Sequence, residues 1–374
     1  MKTDYLIVGA GLSGCILAER ISSKLNKKVI LIDKRNHIAG NIYDYYNDDG
    51  ILVHKYGPHL FHSKVKRVWN YLSQFTEWLP YQHHVLAVIE NRVVPIPFNF
   101  NTLEALFSKE FADKLEKTLI DEYGNGNNIP ILKLMENQNK DLKFLADFIY
   151  KNVFLGYNLK QWGLRPEELD FSVSARVPVR LNRDNRYFLD NYQGVPKHGY
   201  TKMVEKIISN KAIEVLLNLD YKQMSNKIEY DKLIYTGPID EYFDYKFGKL
   251  PYRSLRFDFK TIEKEYFQAG SQVNYPNDND YTRITEFKHI TSQIHKKTTI
   301  AYEYSLEYDK DLNEPYYPIP NEDNHKLFNK YKEESKNIKD TYFLGRLADY
   351  KYYNMDQIVA IALQLFDREI RIGN

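Results

Sequence analysis

An α/β fold of the Rossmann-like type, with a helical insertion and a separate antiparallel sheet, follows from three features of the 374-residue chain. Its start reads as strand, glycine-rich turn and helix. Its middle is dominated by amphipathic helical spacing. Beyond residue 173 it alternates in short runs broken by turn residues.

The first element is DYLIVGAGLSGCILAER, residues 4–20. Residues 5–8 form an apolar, partly β-branched run, the pattern of a buried parallel strand. Gly9, Gly11 and Gly14 follow in G-x-G-x-x-G spacing. The first suits a tight turn, the second lets a pyrophosphate approach the backbone, and the third lets the next helix pack close to the strand. Residues 12–21 have helical apolar spacing, and the free N–H groups at that helix's start would face phosphates. A second strand, 29–32, ends at Asp33, nineteen residues after Gly14, where a ribose hydroxyl needs an acceptor. Strand, helix, second strand and acid in this order predict dinucleotide binding. Lys34 and Arg35 follow, then a second small-residue turn, Ala39-Gly40-Asn41. Such a turn is typical of flavoproteins, where it lies along the extended FAD, and it favours FAD over NAD.

The remaining elements are read in chain order. Residues 44–50, DYYNDDG, are a turn by composition. Residues 51–63 read as a strand entering a glycine-proline turn. Residues 102–123 have helical spacing with Thr102 as N-cap. GNGNNIP breaks that helix, and 141–162 is a second strong amphipathic region. Residues 253–260 and 281–288 read as antiparallel strands with turns between them. TYFLGRL then leads into DQIVAIALQLFDREI: a strand, a glycine-containing loop and a helix that returns to the first domain. The expected division is a discontinuous FAD-binding domain (1–75, about 190–245 and 340–374), a helical domain (76–172) and an antiparallel-sheet substrate domain (about 173–190 and 246–339). No internal repeat is present.

Bulk properties narrow the class. A hydrophobic fraction of 43% is enough to build real cores. A formal charge of +2 gives no strong drive toward nucleic acid or a membrane surface. The single cysteine, Cys15, excludes an intramolecular disulfide framework and reads as a small buried hydrophobe. With no signal peptide pattern and no apolar run long enough for a bilayer, a soluble, cytoplasmic protein is expected. The 32 tyrosines suit both half-buried strands and a site that stacks on a base and hydrogen-bonds a sugar.

Eight stretches, taken together, resemble bacterial UDP-galactopyranose mutases: YGPHLFH (56–62), GYNLKQWG (156–163), SARVPVRLNRDNRYF (174–188), QGVPKHGYTKM (193–203), PYRSLRF (251–257), YTRITEFKH (281–289), EPYYPI (314–319) and GRLADYKYYNMD (345–356). They run along essentially the whole chain in the family's order. The resemblance implies an FAD-binding α/β domain, a helical bundle and a twisted antiparallel sheet, with the substrate in the cleft between them. It implies interconversion of UDP-galactopyranose and UDP-galactofuranose, an isomerisation with no net electron transfer. In the family mechanism N5 of reduced flavin takes the anomeric carbon as UDP leaves, the flavin-bound sugar opens and recloses, and UDP displaces the flavin. Family members are often dimers, so a homodimer is expected.

Residue by residue, the resemblance makes Arg176 and Arg283 the pyrophosphate-binding arginines, with Arg176 in a mobile lid; arginine suits bidentate contacts to phosphate oxygens in a desolvated cleft. Tyr157 and Trp162 match uridine-binding aromatics. Tyr187, Tyr317 and Tyr352 match tyrosines that reach the diphosphate or the sugar, and Arg253 and Asn274 are further carry-overs. His59 and Leu60 lie on the loop near the flavin ring. Arg346 matches an arginine near the isoalloxazine, and the helix starting near Met355 would aim its positive end at the reduced ring. Asp356 reads either as a cofactor contact or as a helix cap. His59-x-x-His62 lacks the accompanying carboxylates of a metal site, so no metal is assigned. His83-His84 is assigned nothing.

The chain departs from the family at Val153, Asn158 and Asn354, where an aromatic, a threonine and an aspartate are usual, and at Ala39, where glycine is usual. Val153 and Asn158 leave the base open, and Asn354 leaves the sugar open. A dTDP-deoxyhexose or UDP-N-acetylgalactosamine mutase is therefore an alternative, and an amine-oxidase-like flavin oxidoreductase a further one.

Overall fold

The computed structural model describes residues 1–171 and 177–372. A five-stranded, wholly parallel sheet forms the first layer. Its order is Ile213–Leu217, Val29–Asp33, Lys2–Val8, Glu229–Tyr235 and Thr341–Phe343, so it draws strands from three separated parts of the chain. Alternation splits each strand between two cores. Tyr5, Ile7, Leu31 and Ile234 point to one face, which is covered by the helices Leu12–Leu25, Tyr200–Ile207 and Met355–Leu365. Leu6, Ile30, Ile32 and Leu233 point to the other face, against Met224, Tyr221 and Tyr242. Both faces are apolar, as a parallel sheet requires. Cys15 is fully buried with its Sγ on the Ala10 carbonyl at 3.2 Å, and burial pushes its thiol far up.

The second sheet has seven strands, in the order Tyr317–Pro318, Tyr252–Ile262, Thr298–Glu307, Arg283–Glu286, Gln272–Asn274, Val85–Ile89 and Arg92–Ile96. Its pairs are antiparallel except one: Gln272–Asn274 runs parallel to Val85–Ile89. That junction recruits a hairpin from the stretch expected to be helical. Residues 78–96 are in fact largely extended, and the helices begin only at Phe100. The reason is visible in VLAVIENRVVPI. Apolar residues alternate on both arms, and Glu90 and Asn91 take φ of 48° and 61°, which makes a two-residue turn between Ile89 and Arg92. Without a glycine in the turn, the helical neighbourhood dominates the reading.

The helices that follow pack around Leu103, Leu115, Leu119, Leu142, Leu145 and Ile149. The single helix expected over 102–123 is two, Phe100–Leu106 and Lys109–Tyr123. Asn99, not Thr102, is the first N-cap. Its side chain accepts from the Asn101 and Thr102 amides, while Thr102 Oγ1 accepts from the Asn99 amide at 3.2 Å. The region expected as one helix over 141–162 contains a widened π turn, Tyr150–Leu155, between Lys140–Ile149 and Gly156–Trp162. Residues 44–46, expected to lie in a turn, are instead a short strand paired with Leu52–His54. Among the described residues no helix is long and apolar enough to cross a membrane.

Candidate active site

Two cavities meet at one seam. The first, of about 230 Å³, lies at the carboxyl ends of the parallel strands, where nucleotides bind in open α/β sheets. The glycine turn builds it. Gly9 has φ +104°, and a Cβ there would sit 2.0 Å from Thr236 Oγ1. A Cβ on Gly14 would lie 2.1 Å from the Gly9 carbonyl oxygen, which is the close helix–strand contact expected of it. Gly11 and Gly40 bring the two small-residue turns together: a Cβ on Gly40 would stand 2.8 Å from the Gly11 Cα. Ala39 precedes it with φ 72°, a left-handed conformation more costly for alanine than for glycine.

Asp33 ends the second strand with both oxygens engaged, Oδ2 by the Ala10 amide at 2.8 Å and Oδ1 by the Arg35 amide at 2.9 Å. Lys34 and Asn41 also line this groove. The Arg35 guanidinium ion-pairs with Glu314 and donates to Asn41 Oδ1 at 3.0 Å. Residues 219–222 and Glu241 form a wall that the sequence did not reveal.

The second cavity is a cleft of about 1370 Å³ between the parallel sheet, the helices and the seven-stranded sheet. His59, Arg346, Tyr353 and Met355 line both cavities, so the seam runs through them. His59 Nδ1 donates to the Gly57 carbonyl at 2.9 Å and its amide donates to His54 Nδ1 at 3.0 Å. Desolvation lowers His59 to about 3 and His54 to about 4, so both rings are neutral near pH 7. Arg346 donates to the Tyr353 carbonyl at 2.7 Å, and its guanidinium lies 4.9 Å from the Tyr352 ring centre. Asn354 caps the helix Met355–Leu365 reciprocally with Gln357, so that helix starts at the cleft floor.

The sheet supplies the opposite wall. Arg283 directs Nε and Nη2 at one Glu303 oxygen, each at 2.7 Å, and Glu303 is only 1% exposed. Burial works against the Arg283 charge, but the Glu303 carboxylate more than restores it and holds the guanidinium above its ordinary value. Tyr317 stacks on Tyr352 (ring centres 5.3 Å apart) and leans on Trp162 at 5.9 Å. Tyr157, Val153 and Asn158 face the same cleft from the π turn and the helix after it, with Asn158 Nδ2 on the Phe154 carbonyl at 3.0 Å. Burial pushes the Tyr157 and Tyr317 phenols up. Asn274 accepts from Gln272 Nε2 at 2.9 Å, Tyr187 packs edge-on to His83, and Leu60 completes the lining.

Two residues read into the site are turned elsewhere. Arg253 lines neither cavity. Its Nε and Nη2 donate to the Gln161 and Lys160 carbonyls, both at 3.0 Å, where a cation satisfies the carbonyl end of the helix Gly156–Trp162. Asp356 lines neither cavity either. It accepts from Ser63 Oγ at 3.0 Å and from the Gln357 amide at 2.8 Å, tying the last helix to the strand Phe61–Ser63. Arg176 lies outside the described residues. His62 pairs with Asp190 and stacks on Phe188 at 3.6 Å.

Two site residues went unread. Glu303 sits opposite Arg283 in register, on the strand face shared with Ala301 and Ser305; the signal was an acid in an inward strand position. His83 is 4% exposed, lines the cleft, and is held neutral by burial, then by Arg283, with its pKa at about 3.

Comparison with known proteins places this geometry. The family model described as UDP-galactopyranose mutase matches residues 152–352, and one described as NAD(P)-binding Rossmann-like domain matches 7–75. A probable UDP-galactopyranose mutase of Klebsiella pneumoniae is 36% identical over 369 residues, covering 97% of this chain and 94% of its own. A dTDP-fucopyranose mutase of Escherichia coli is 34% identical over 368 residues, covering 96% of each. A crystal structure of reduced UDP-galactopyranose mutase shares the fold with a TM-score of 0.77 at 17% identity, covering 100% of this chain and 94% of its own.

Proposed function

The chain belongs to the UDP-galactopyranose mutase family, and on that premise we propose that it interconverts UDP-galactopyranose and UDP-galactofuranose with reduced FAD and no net redox change. The observation that carries the reading is the braced Arg283 in a tyrosine-lined cleft that meets a dinucleotide groove at His59, Arg346 and Met355. Amine oxidation needs no such cation for a diphosphate.

The groove fits FAD. The contact between Gly11 and Gly40 leaves backbone, not side chain, against a pyrophosphate, and Asp33 keeps lone pairs for a ribose hydroxyl. Gly9 to Ser13, Asp33, Lys34, Arg35, Gly40 and Asn41 would hold the dinucleotide, and Arg346 with the start of the Met355–Leu365 helix would face the ring. Bound there, reduced FAD supplies a nucleophile for the anomeric carbon.

The chain's own residues do the rest. Arg283, oriented by Glu303, offers its remaining N–H groups to the departing diphosphate, and Arg176 is the second cation by resemblance. Tyr157 and Trp162 give aromatic faces for the base, and the Tyr317–Tyr352 stack walls the sugar. The positive end of the Met355–Leu365 helix favours negative charge on a reduced ring. His59, neutral and fixed by Gly57, adds no competing cation.

A second reading keeps the reaction and changes the substrate to a dTDP-linked deoxysugar. It is favoured by Val153, Asn158 and Asn354, all on the cleft wall, and by the similarity to a dTDP-fucopyranose mutase. Purified protein given UDP-galactofuranose and dTDP-fucofuranose side by side, with and without dithionite, tests both. Conversion only after reduction supports the mutase reading, and the faster substrate names the base and sugar. Conversion of neither, with FAD bound and reduced, refutes it.

A further inference from the structure

The helix Gly156–Trp162, which carries Tyr157 and Trp162, and the hairpin bearing Arg283 belong to different parts of the fold. One side chain joins them. Lys160 Nζ reaches four backbone carbonyls of the loop 275–281: those of Asn277 at 3.0 Å, Asn279 at 2.9 Å and Tyr281 at 3.2 Å, and that of Tyr275. This loop runs from Asn274 to Arg283, and the Tyr275 amide closes it on the Thr282 carbonyl at 2.9 Å. The contact is tight over two further turns of the same helical face. A Cβ on Gly156 would lie 2.3 Å from the Pro276 carbonyl oxygen, and Asn277 Nδ2 donates to the Asn152 carbonyl at 3.2 Å. Residues 152, 156 and 160 thus form a docking stripe, while 153, 157 and 161 beside them line the cleft.

We propose that Lys160 is a positioning residue, setting the separation between the aromatic base-contacting helix and the diphosphate-contacting Arg283. The proposal rests on the nucleotide-sugar reading for what occupies the cleft. A lysine ammonium is a compact point charge with three donors, suited to carbonyls gathered around one point; a guanidinium fork is not. Burial lowers Lys160 to about 8 against the pull of Asp278 and Asp280, so it remains mostly charged near pH 7. The four carbonyls have no other cation to converge on among the described residues, and their convergence gives the loop one shape.

The test compares Lys160→Met, which keeps the stem and loses the charge, with Lys160→Arg and Lys160→Ala. UDP binding is measured by calorimetry on FAD-loaded protein, beside uridine and inorganic pyrophosphate alone. Losing the ammonium lets the loop change shape, and each charged hydrogen bond to the ligand misplaced as a result costs about tenfold in affinity. The expected result for Lys160→Met is about tenfold weaker UDP with uridine and pyrophosphate each nearly unchanged, because only the ligand spanning both walls senses their separation. KM should rise more than kcat falls, and propylammonium should restore UDP binding in Lys160→Ala. UDP affinity within twofold of wild type in Lys160→Met overturns the proposal. If that variant does not fold, Lys160→Arg decides: weakened UDP supports the proposal and wild-type affinity overturns it. If wild-type protein itself ignores UDP, the same series is run with dTDP. If it ignores both, the nucleotide-sugar reading fails on its own, and amide exchange at Tyr275 then reports on Lys160: faster exchange in Lys160→Met supports the docking role, and unchanged exchange overturns it.

Discussion

Replacing Arg283 by methionine while keeping Glu303 isolates what their pairing does. Glu303 is 1% exposed, and its bonds from Arg283 are both 2.7 Å; among the described residues the remaining side-chain donor is Thr282 Oγ1 at 3.4 Å. Arg283→Met therefore strands a buried carboxylate, at a cost of about 3–5 kcal/mol. For a chain of this length the unfolding entropy makes that a fall of roughly 5 °C in melting temperature. Glu303→Gln costs less, about 1–2 kcal/mol, because the amide oxygen still accepts from the guanidinium. The double variant Arg283→Met/Glu303→Gln should recover most of the stability, since neither charge is left alone. It should not recover activity. Melting curves and turnover of UDP-galactofuranose by reduced enzyme, run on all four proteins, separate the two effects. If Arg283→Met melts with wild type, the pair is not a buried interdependent unit. If the double variant turns over within tenfold of wild type, Arg283 does not serve the diphosphate.

Three further changes have defined outcomes. Ala39 holds φ 72° beside the tight Gly11–Gly40 contact, so Ala39→Gly should raise stability by about 0.5–1 kcal/mol, seen as a higher melting temperature with FAD content unchanged. Burial raises Asp349 to about 6 despite bonds from the Gly345 amide and Tyr353. The folded state thus holds this proton more tightly than the unfolded one, and its contribution to stability is full below about pH 4 and lost as pH rises through about 6. Asp349→Asn should remove that loss, so urea melts of variant and wild type should diverge between pH 4 and 6 in the variant's favour; parallel curves contradict the assignment. Asn354→Asp keeps an equally good N-cap, so stability should stay within about 0.5 kcal/mol. It adds a negative charge at the cleft floor, and the ratio of kcat/KM for the UDP and dTDP sugars should move by more than threefold if this position discriminates between them.

What the sequence made legible was local. Gly9, Gly11, Gly14 and Asp33 work through spacing along one strand–turn–helix unit; Gly9, Gly11 and Asp33 line the groove, and Gly14 packs behind it against the Gly9 carbonyl. The middle helices were legible by period but not by boundary, because Phe107-Ser108 and the π turn interrupt runs whose apolar spacing continues across them. The resemblance carried Arg253 toward the substrate, and Asp356 stood open between cofactor contact and helix cap; the fold turns Arg253 to the Gln161 and Lys160 carbonyls and Asp356 to Ser63 and the Gln357 amide. An arginine or an aspartate near a site can equally satisfy a helix end, and only the fold shows which carbonyls or amides lie within reach. Glu303 and His83 were missed for the opposite reason: their meaning comes from Arg283, which meets Glu303 through strand register and acts on His83 only through its charge. The tyrosines divide the same way. Tyr5, Tyr200 and Tyr331 are core, while Tyr157, Tyr187, Tyr317 and Tyr352 line the cleft.

On the proposed reading the cleft takes a diphosphate, beside which a buried acid looks counterproductive; its geometry explains why it is tolerated. On the proposed reading, Arg283 matched by Glu303 would bring little net charge to an incoming dianion, so long-range attraction would fall to Arg346 and to the start of the Met355–Leu365 helix. The pair contributes direction instead. Glu303 holds Nε and Nη2 of the guanidinium from within the sheet, and Nη1 donates to Gln272 Oε1 at 3.4 Å, so the group has a fixed orientation beside the cleft. In an isomerisation that begins with loss of a diphosphate, negative charge on the leaving oxygen grows as the bond breaks. A donor already in position gains strength with that charge and needs no reorganisation, whereas a free cation would bind substrate and departing group almost alike. On the proposed reading, the buried carboxylate would therefore favour the transition state over the ground state, a difference that uniform attraction to the diphosphate would not provide.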